Sequence, residues 1–228
     1  MTKLYKKSEI TFTVVWIAAY VLLSSIADNV SADLGVAKSI TSVLHVAMVL
    51  ILFFWIGKKP IAGCVACRKC METGKCVFDD RVNEFTALAG EYDGFIFGSP
   101  VYYAGMNGAM MAFMDRAFFS ATIREPHPYR FKPAAAVVSA RRAGTTSALD
   151  QMNKYFLHGQ MPVISSRYWN MVHGNTPEEV RQDEEGLQIL RVLGRNMAWF
   201  LKLKEAGEKA GVPLPRQEDV RIATNYIR

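Results

Sequence analysis

No cysteine lies outside residues 64–76. A disulfide framework scatters its cysteines to tie distant segments together, so this chain is not built on one. The single cluster points instead to metal, cluster or redox chemistry in a reducing compartment. A nucleic-acid-binding motif is also missing, and the formal charge is only +6. The basic residues flank the apolar N-terminal runs (Lys3, Lys6, Lys7, Lys58, Lys59) and recur in the C-terminal third. That distribution suits an anionic membrane face or a phosphate-bearing cofactor and excludes a nucleic-acid partner. There is no internal repeat and no low-complexity segment.

Charge is absent from two long stretches, Ile10 to Ala27 and Ser39 to Gly57. Each approaches the ~20 residues that a helix needs to cross a bilayer core. Lysines precede the first run and follow the second, while Asp28 and Asp33 occupy the connection, so both ends are expected in the cytoplasm. Two other readings compete. Ser25-Ile26-Ala27 resembles a signal-peptide cleavage site, but the second run is then unexplained. Buried core helices would carry one apolar stripe, whereas these runs are apolar on every face. Residues 1–58 are therefore expected to form a two-helix transmembrane hairpin, with membrane contact through residues 10–57. His45 within it has no identifiable partner and reads as a packed polar residue.

From about residue 59 the pattern becomes that of an alternating α/β domain. Gly94 to Gly98 and Ala134 to Ala140 are short buried strands, with a third expected at Met161 to Ser165. Helices are predicted over Gly105 to Ser120 and from about Thr145 to His158. Another starts at Thr176, where Thr, Pro and two acids form a strong N-terminal signal, and runs to about Ala206. Strands alternating with helices imply a parallel sheet.

The cysteines run Cys64-x2-Cys67-x2-Cys70-x5-Cys76. Three thiols so close can wrap one compact centre, with Gly63 and Gly74 permitting tight turns. Structural zinc usually takes two separated pairs, so the spacing favours an iron–sulfur cluster over zinc, with free or redox-active thiols as the other reading. A second constellation, Ser99-Pro100-Val101-Tyr102-Tyr103, ends the first strand, where open parallel sheets bind their ligands. The loop Ala140-Arg141-Arg142-Ala143-Gly144-Thr145 ends the second. Its glycine and helix start suit an electron-rich edge or an anion. Taken singly, these read equally as a proline turn and as a solvated arginine pair beside a helix cap.

Taken in order, "IAGCVACRKCMETGKCVFDD", "YDGFIFGSPVYYAGMNGAMMAFMDR" and "VVSARRAGTT" resemble the NADPH-dependent FMN reductase and iron–sulfur flavoprotein group of the flavodoxin-like superfamily. The resemblance covers about residues 60–228. It implies that Ser99, Pro100, Val101, Tyr102, Tyr103, Ala140, Arg141, Gly144 and Thr145 flank FMN. It further implies that Cys64, Cys67, Cys70 and Cys76 hold a [4Fe–4S] cluster in members that have one, with NAD(P)H as donor. Asp115-Arg116 matches a helix-end pair with a structural role, and Tyr168-Trp169-Asn170 either covers the flavin or packs in the core.

Family members begin with a strand, a phosphate-holding loop, a helix and a second strand, none of which is legible here. Residues 1–58 instead resemble the first membrane segments of CAAX-protease-type intramembrane metalloproteases, without any protease motif. The expected architecture is thus a truncated flavodoxin-like parallel sheet at 59–228 behind a membrane hairpin at 1–58. An apolar sheet edge left bare by the missing strand would favour a homo-oligomer. The expected function is FMN-dependent NAD(P)H oxidation with a small-molecule or protein electron acceptor, in a cytoplasmic domain at the cell membrane. No side chain is singled out as catalytic. The alternative is a non-catalytic remnant or membrane-anchored interaction module without bound FMN.

Overall fold

In the run Ala134 to Ala140 every residue is buried, which is how a strand covered on both faces reads. This strand is the centre of a four-stranded sheet in the computed structural model, which describes residues 54–218 together with Ile222 and Thr224. The strands are β1 (Phe95–Tyr102), β2 (Gly105–Met106), β3 (Ala134–Ala140) and β4 (Met171–His173), in the order β2-β1-β3-β4. β1 pairs with β3 in parallel from Phe95↔Ala134 to Pro100↔Ser139, and β3 with β4 from Val138↔Met171 to Ala140↔His173. β2 pairs antiparallel with the last residues of β1. Along the rest of its outer edge, β1 has no strand partner among the described residues.

Six α-helices complete the fold among the described residues: α1 (Cys70–Thr73), α2 (Arg81–Leu88), α3 (Gly108–Ala121), α4 (Thr145–His158), α5 (Pro177–Gln182) and α6 (Glu184–Lys209). Alternation along β3 splits the core. Ala134, Ala136 and Val138 pack with Phe95, Phe97 and the inward faces of α2, α3 and α4. Ala135 and Val137 pack with Val172, Val180, Leu190, Leu193 and Met197 on the α5–α6 side. The first layer is largely aromatic, with Phe118 stacked on Tyr129 at 4.8 Å and Phe97 against Phe156 at 5.3 Å between ring centroids. The small Ala-rich strand lets these rings approach the sheet closely.

Four expectations need correction. The helix expected from Gly105 begins only at Gly108, because Gly105 and Met106 pair with β1 as β2. β1 does not stop at Gly98 but continues through Tyr102. The strand expected at Met161 to Ser165 is reduced to one bridge, Ala134↔Val163, because Pro162 has no N–H for a ladder. The third parallel strand is the short β4 instead. The helix expected from Thr176 to Ala206 breaks at Asp183, whose carboxylate accepts from Gly186 N at 2.9 Å and His173 N at 2.6 Å. That side chain caps α6 and ties it to the end of β4, so its own backbone leaves the helix.

The membrane hairpin and the likeness to CAAX proteases fall almost wholly outside the described residues. Among the described residues no helix is long and apolar enough to cross a membrane.

His127 gives the fold a pH signature. Its Nδ1 accepts from Arg130 N at 3.1 Å and Tyr129 N at 3.3 Å, a role open only to the neutral ring. Burial, then the charge of Arg130, lowers its pKa to about 4, against 6.5 in the unfolded chain. Between these values the unfolded state binds more protons, so this stabilisation is complete above pH 6.5 and is lost as pH falls towards 4. The thermal midpoint is expected to drop between pH 7 and pH 5, and His127→Asn to flatten that slope. Equal slopes for the two proteins would contradict this role.

Candidate functional site

At the carboxyl end of the sheet, β1 turns back into β2 through Tyr103 and Ala104. Both have positive φ, 49° and 58°, as a two-residue hairpin of type I′ demands. That turn normally takes Asn-Gly; a tyrosine and an alanine here hold left-handed backbone at a cost of about 1–3 kcal/mol each. Tyr103 is fully exposed and Tyr102 half-exposed, so strained backbone presents two phenol rings at the sheet edge. Gln151 of α4 steadies the return strand by accepting from Met106 N at 3.1 Å.

Gly144 brings the second loop against this turn. Its φ is +93°, and a Cβ there would sit 2.6 Å from Ala104 Cα and 3.1 Å from Val101 Cγ1. The loops after β1 and β3 are therefore in van der Waals contact, with the first turn of α4 opening beside them. Arg141 is exposed, while Ala140 and Thr145 are buried. Ala140 gives its carbonyl to Gly174 N at 3.0 Å. Ser99 faces inward: its Oγ accepts from Asn107 N at 2.9 Å and donates to the Pro100 carbonyl at 2.9 Å. Of the sequence-derived flavin set, Val101, Tyr102, Tyr103 and Gly144 thus converge, and the Ser99 hydroxyl is already spent in the fold. Tyr168 and Trp169 lie edge-to-face at 4.6 Å, both half-exposed.

The second constellation is a cavity lined by Cys64, Cys67, Cys70 and Cys76 together with Arg116, Phe78 and Phe119. All four thiols are free; Cys64 and Cys67 are exposed, Cys70 is buried and Cys76 lies between. Tight turns do occur here, though only one of the two glycines supplies one. Gly74 has φ +68° and its N–H returns to Cys70 O, closing α1. Gly63 has ordinary φ, and the other turns come from Ala66 (φ 52°) and Arg68 (φ 60°) on either side of Cys67. Left-handed residues within such a run curl backbone N–H groups inward, a geometry that suits anionic phosphate and iron–sulfur groups.

Arg116, from the middle of α3, is 1 % exposed and reaches into this cavity. It makes a two-pronged bridge to Asp80 at 2.7 and 2.8 Å, and donates to Ala62 O at 3.2 Å and Phe78 O at 3.1 Å. Its Nε donates to Cys76 Sγ at 3.1 Å. Asn83 holds Cys76 from the other side, accepting its N–H and donating to its carbonyl, both at 2.9 Å. Burial opposes the charge on Asp80, but the hydrogen bonds from Arg116 and Val82 and the Arg116 charge outweigh it and hold the carboxyl below its usual range. Burial first, then the charge of Cys76, Cys64 and Cys67, pushes the Cys70 thiol up.

The sequence pattern of the NADPH-dependent FMN reductase family matches residues 21–176. The chain belongs to this family. Membership implies FMN and NAD(P)H and an oxidoreductase built on a flavodoxin-like scaffold. An iron–sulfur flavoprotein of Methanocaldococcus jannaschii is 32% identical over 158 residues, which are 66% of this chain and 80% of the relative. One from Archaeoglobus fulgidus is 28% identical over 165 residues, 67% of this chain and 82% of that protein. Among solved structures, a flavodoxin, WrbA-like protein from Agrobacterium tumefaciens has a TM-score of 0.42 at 18% identity, covering 51% of this chain and 71% of its own. The family match begins at residue 21, inside the stretch whose likeness to CAAX proteases was expected, and that likeness finds no support.

The sequence expectation for Arg116 is a structural helix-end residue, whereas it lies within α3 and lines the cysteine cavity, and Asp80 and Asn83 carry no expectation at all. The available signal was Asp80 four residues after the last cysteine, together with an arginine on an otherwise apolar helix face.

The contact between the two loops has a direct test. Gly144→Ala is expected to destabilise the protein by about 1–3 kcal/mol, from positive φ and the clash with Ala104. Gly63→Ala, whose Cβ meets nothing within 4 Å, is expected to leave the thermal midpoint unchanged. Equal midpoints for both variants and the native chain would show that the loops do not touch.

Proposed function

We propose that this chain is an iron–sulfur flavoprotein, an FMN-dependent NAD(P)H oxidoreductase serving a small-molecule or protein electron acceptor. The observation that carries the reading is the convergence of all four cysteines on one cavity. Among the described residues no three or more His, Cys, Asp or Glu side chains gather as a single metal ion requires. The preference for a cluster over zinc rests on the cysteine spacing and on the likeness to iron–sulfur flavoproteins.

When bound, FMN supplies two-electron hydride chemistry and the cluster one-electron chemistry. The residues of this chain hold, orient and shield these groups. Cys64, Cys67, Cys70 and Cys76 would ligate the cluster. Val101, Tyr102 and Tyr103 would lie along the flavin ring, with Pro100 setting the strand that presents them. Gly144, Thr145 and Arg141 would offer backbone N–H groups and positive charge to its electron-rich edge. Ser99 and Ala140 would act by fixing the two loops, since their polar groups are occupied. The two lysine-flanked apolar runs support holding this domain at the cytoplasmic face of the cell membrane.

The test is anaerobic purification of the full chain from the membrane fraction, followed by an absorption spectrum and iron, zinc and FMN assays. A yellow chromophore with four irons per chain is expected, and Cys67→Ser should remove the broad visible absorption and the iron together. Stoichiometric zinc without iron would overturn the cluster, and a chain carrying no FMN at saturating concentrations would overturn the oxidoreductase reading.

A further inference from the structure

We infer that Arg116 is the positioning residue of the cysteine centre, and that its Nε–H bond to Cys76 Sγ makes that centre easier to reduce. The second half of this statement rests on the cluster reading above; the first does not.

The geometry separates Cys76 from the other three. Cys64, Cys67 and Cys70 lie within one local run, whose spacing comes from Ala66, Arg68 and α1. Cys76 arrives after the chain has turned at Gly74, so its direction has to be set by contacts from elsewhere. Asn83 fixes its backbone and Arg116 its sulfur. The same guanidinium donates to Ala62 O before the first cysteine, and to Phe78 O and Asp80 after the last. It also lies over the Phe78 ring at 4.9 Å. One side chain on the rigid α3 therefore joins both ends of the cysteine segment and points a donor at the fourth ligand. An N–H···S distance of 3.1 Å is short for so large an acceptor.

The electrostatic consequence follows in sign. A cluster gains negative charge on reduction, and a donor on a ligating sulfur stabilises the more negative state, which raises the potential. Asp80 acts oppositely, because a carboxylate paired to the same guanidinium opposes added electrons. A residue that merely held the fold together would not produce opposite shifts at these two positions.

Two measurements on the full chain decide the matter. In the metal-free protein labelled with 15N-arginine, the Arg116 Nε–H signal should be protected from solvent and should move on Cys76→Ala but not on Cys64→Ala. An unchanged signal in Cys76→Ala would overturn the positioning role. In the iron-loaded protein, Arg116→Lys keeps the charge but loses the planar fork. At fixed potential its reduced-to-oxidised ratio should fall about tenfold, about 59 mV for a one-electron couple, at native iron content. Asp80→Asn should shift the ratio upward. A native ratio in Arg116→Lys, or shifts of the same sign in both variants, would overturn the tuning role. If Arg116→Lys fails to fold, Asp80→Asn still reads the sign and the labelled native chain still reads the bond. If the native chain binds no iron, the proposed function fails while the arginine signal still decides whether Cys76 is held.

Discussion

A buried guanidinium has five N–H donors and no means of shedding its charge, so the fold around Arg116 must supply an acceptor for each. It does: Cys76 Sγ, the carbonyls of Ala62 and Phe78, and both oxygens of Asp80. Removing one partner of a fully buried ion pair costs about 3–5 kcal/mol. The figure is smaller here because the Asp80 side chain is 29 % exposed, yet it remains a large part of a typical domain's stability. Asp80 has a second duty, since its Oδ1 also caps α2 by accepting from Val82 N at 3.0 Å. The requirement to satisfy one guanidinium thus fixes the path of residues 62–80, the start of α2 and the aim of the fourth cysteine.

α3 carries that constraint to the other constellation. Its cap Asn107 donates its backbone N–H to Ser99 Oγ beneath the strained turn, and Arg116 lies roughly 13 Å further along the axis at ~1.5 Å per residue. The helix buries Phe113, Met114, Ala117 and Ala121 against the aromatic layer, so it cannot slide without disturbing the core. One stiff element therefore touches both constellations, through Asn107 at Ser99 and through Arg116 at Cys76. Loops braced by a helix in this way keep their geometry better than loops alone.

Much of this was legible in the residues. β3 and α4 follow from an unbroken small-apolar run and from a helical pattern between Gly144 and Gly159, and their bounds agree with expectation. The cysteine spacing indicated thiols close together, and all four line one cavity. What escaped were features set by tertiary contacts. β4 is three residues long, and nothing local marks it as a strand. Asp183 sits in a good helical context and leaves the helix only because two backbone N–H groups claim its carboxylate. The continuation of β1 through Pro100 was hidden because proline reads as a turn, whereas here its missing N–H falls where β1 has no outer strand partner among the described residues. Arg116 is 36 residues from Asp80, a pairing that no periodicity reveals.

The central claim is that the cysteine cradle is built by the protein rather than by what it binds. Amide hydrogen exchange on the metal-free full chain tests it most directly. The account predicts that the N–H groups of Gly74, Cys76 and Val82, bonded to Cys70 O, Asn83 Oδ1 and Asp80 Oδ1, exchange slowly before any iron is added. Free exchange throughout residues 62–80, with protection acquired only on reconstitution, would contradict it.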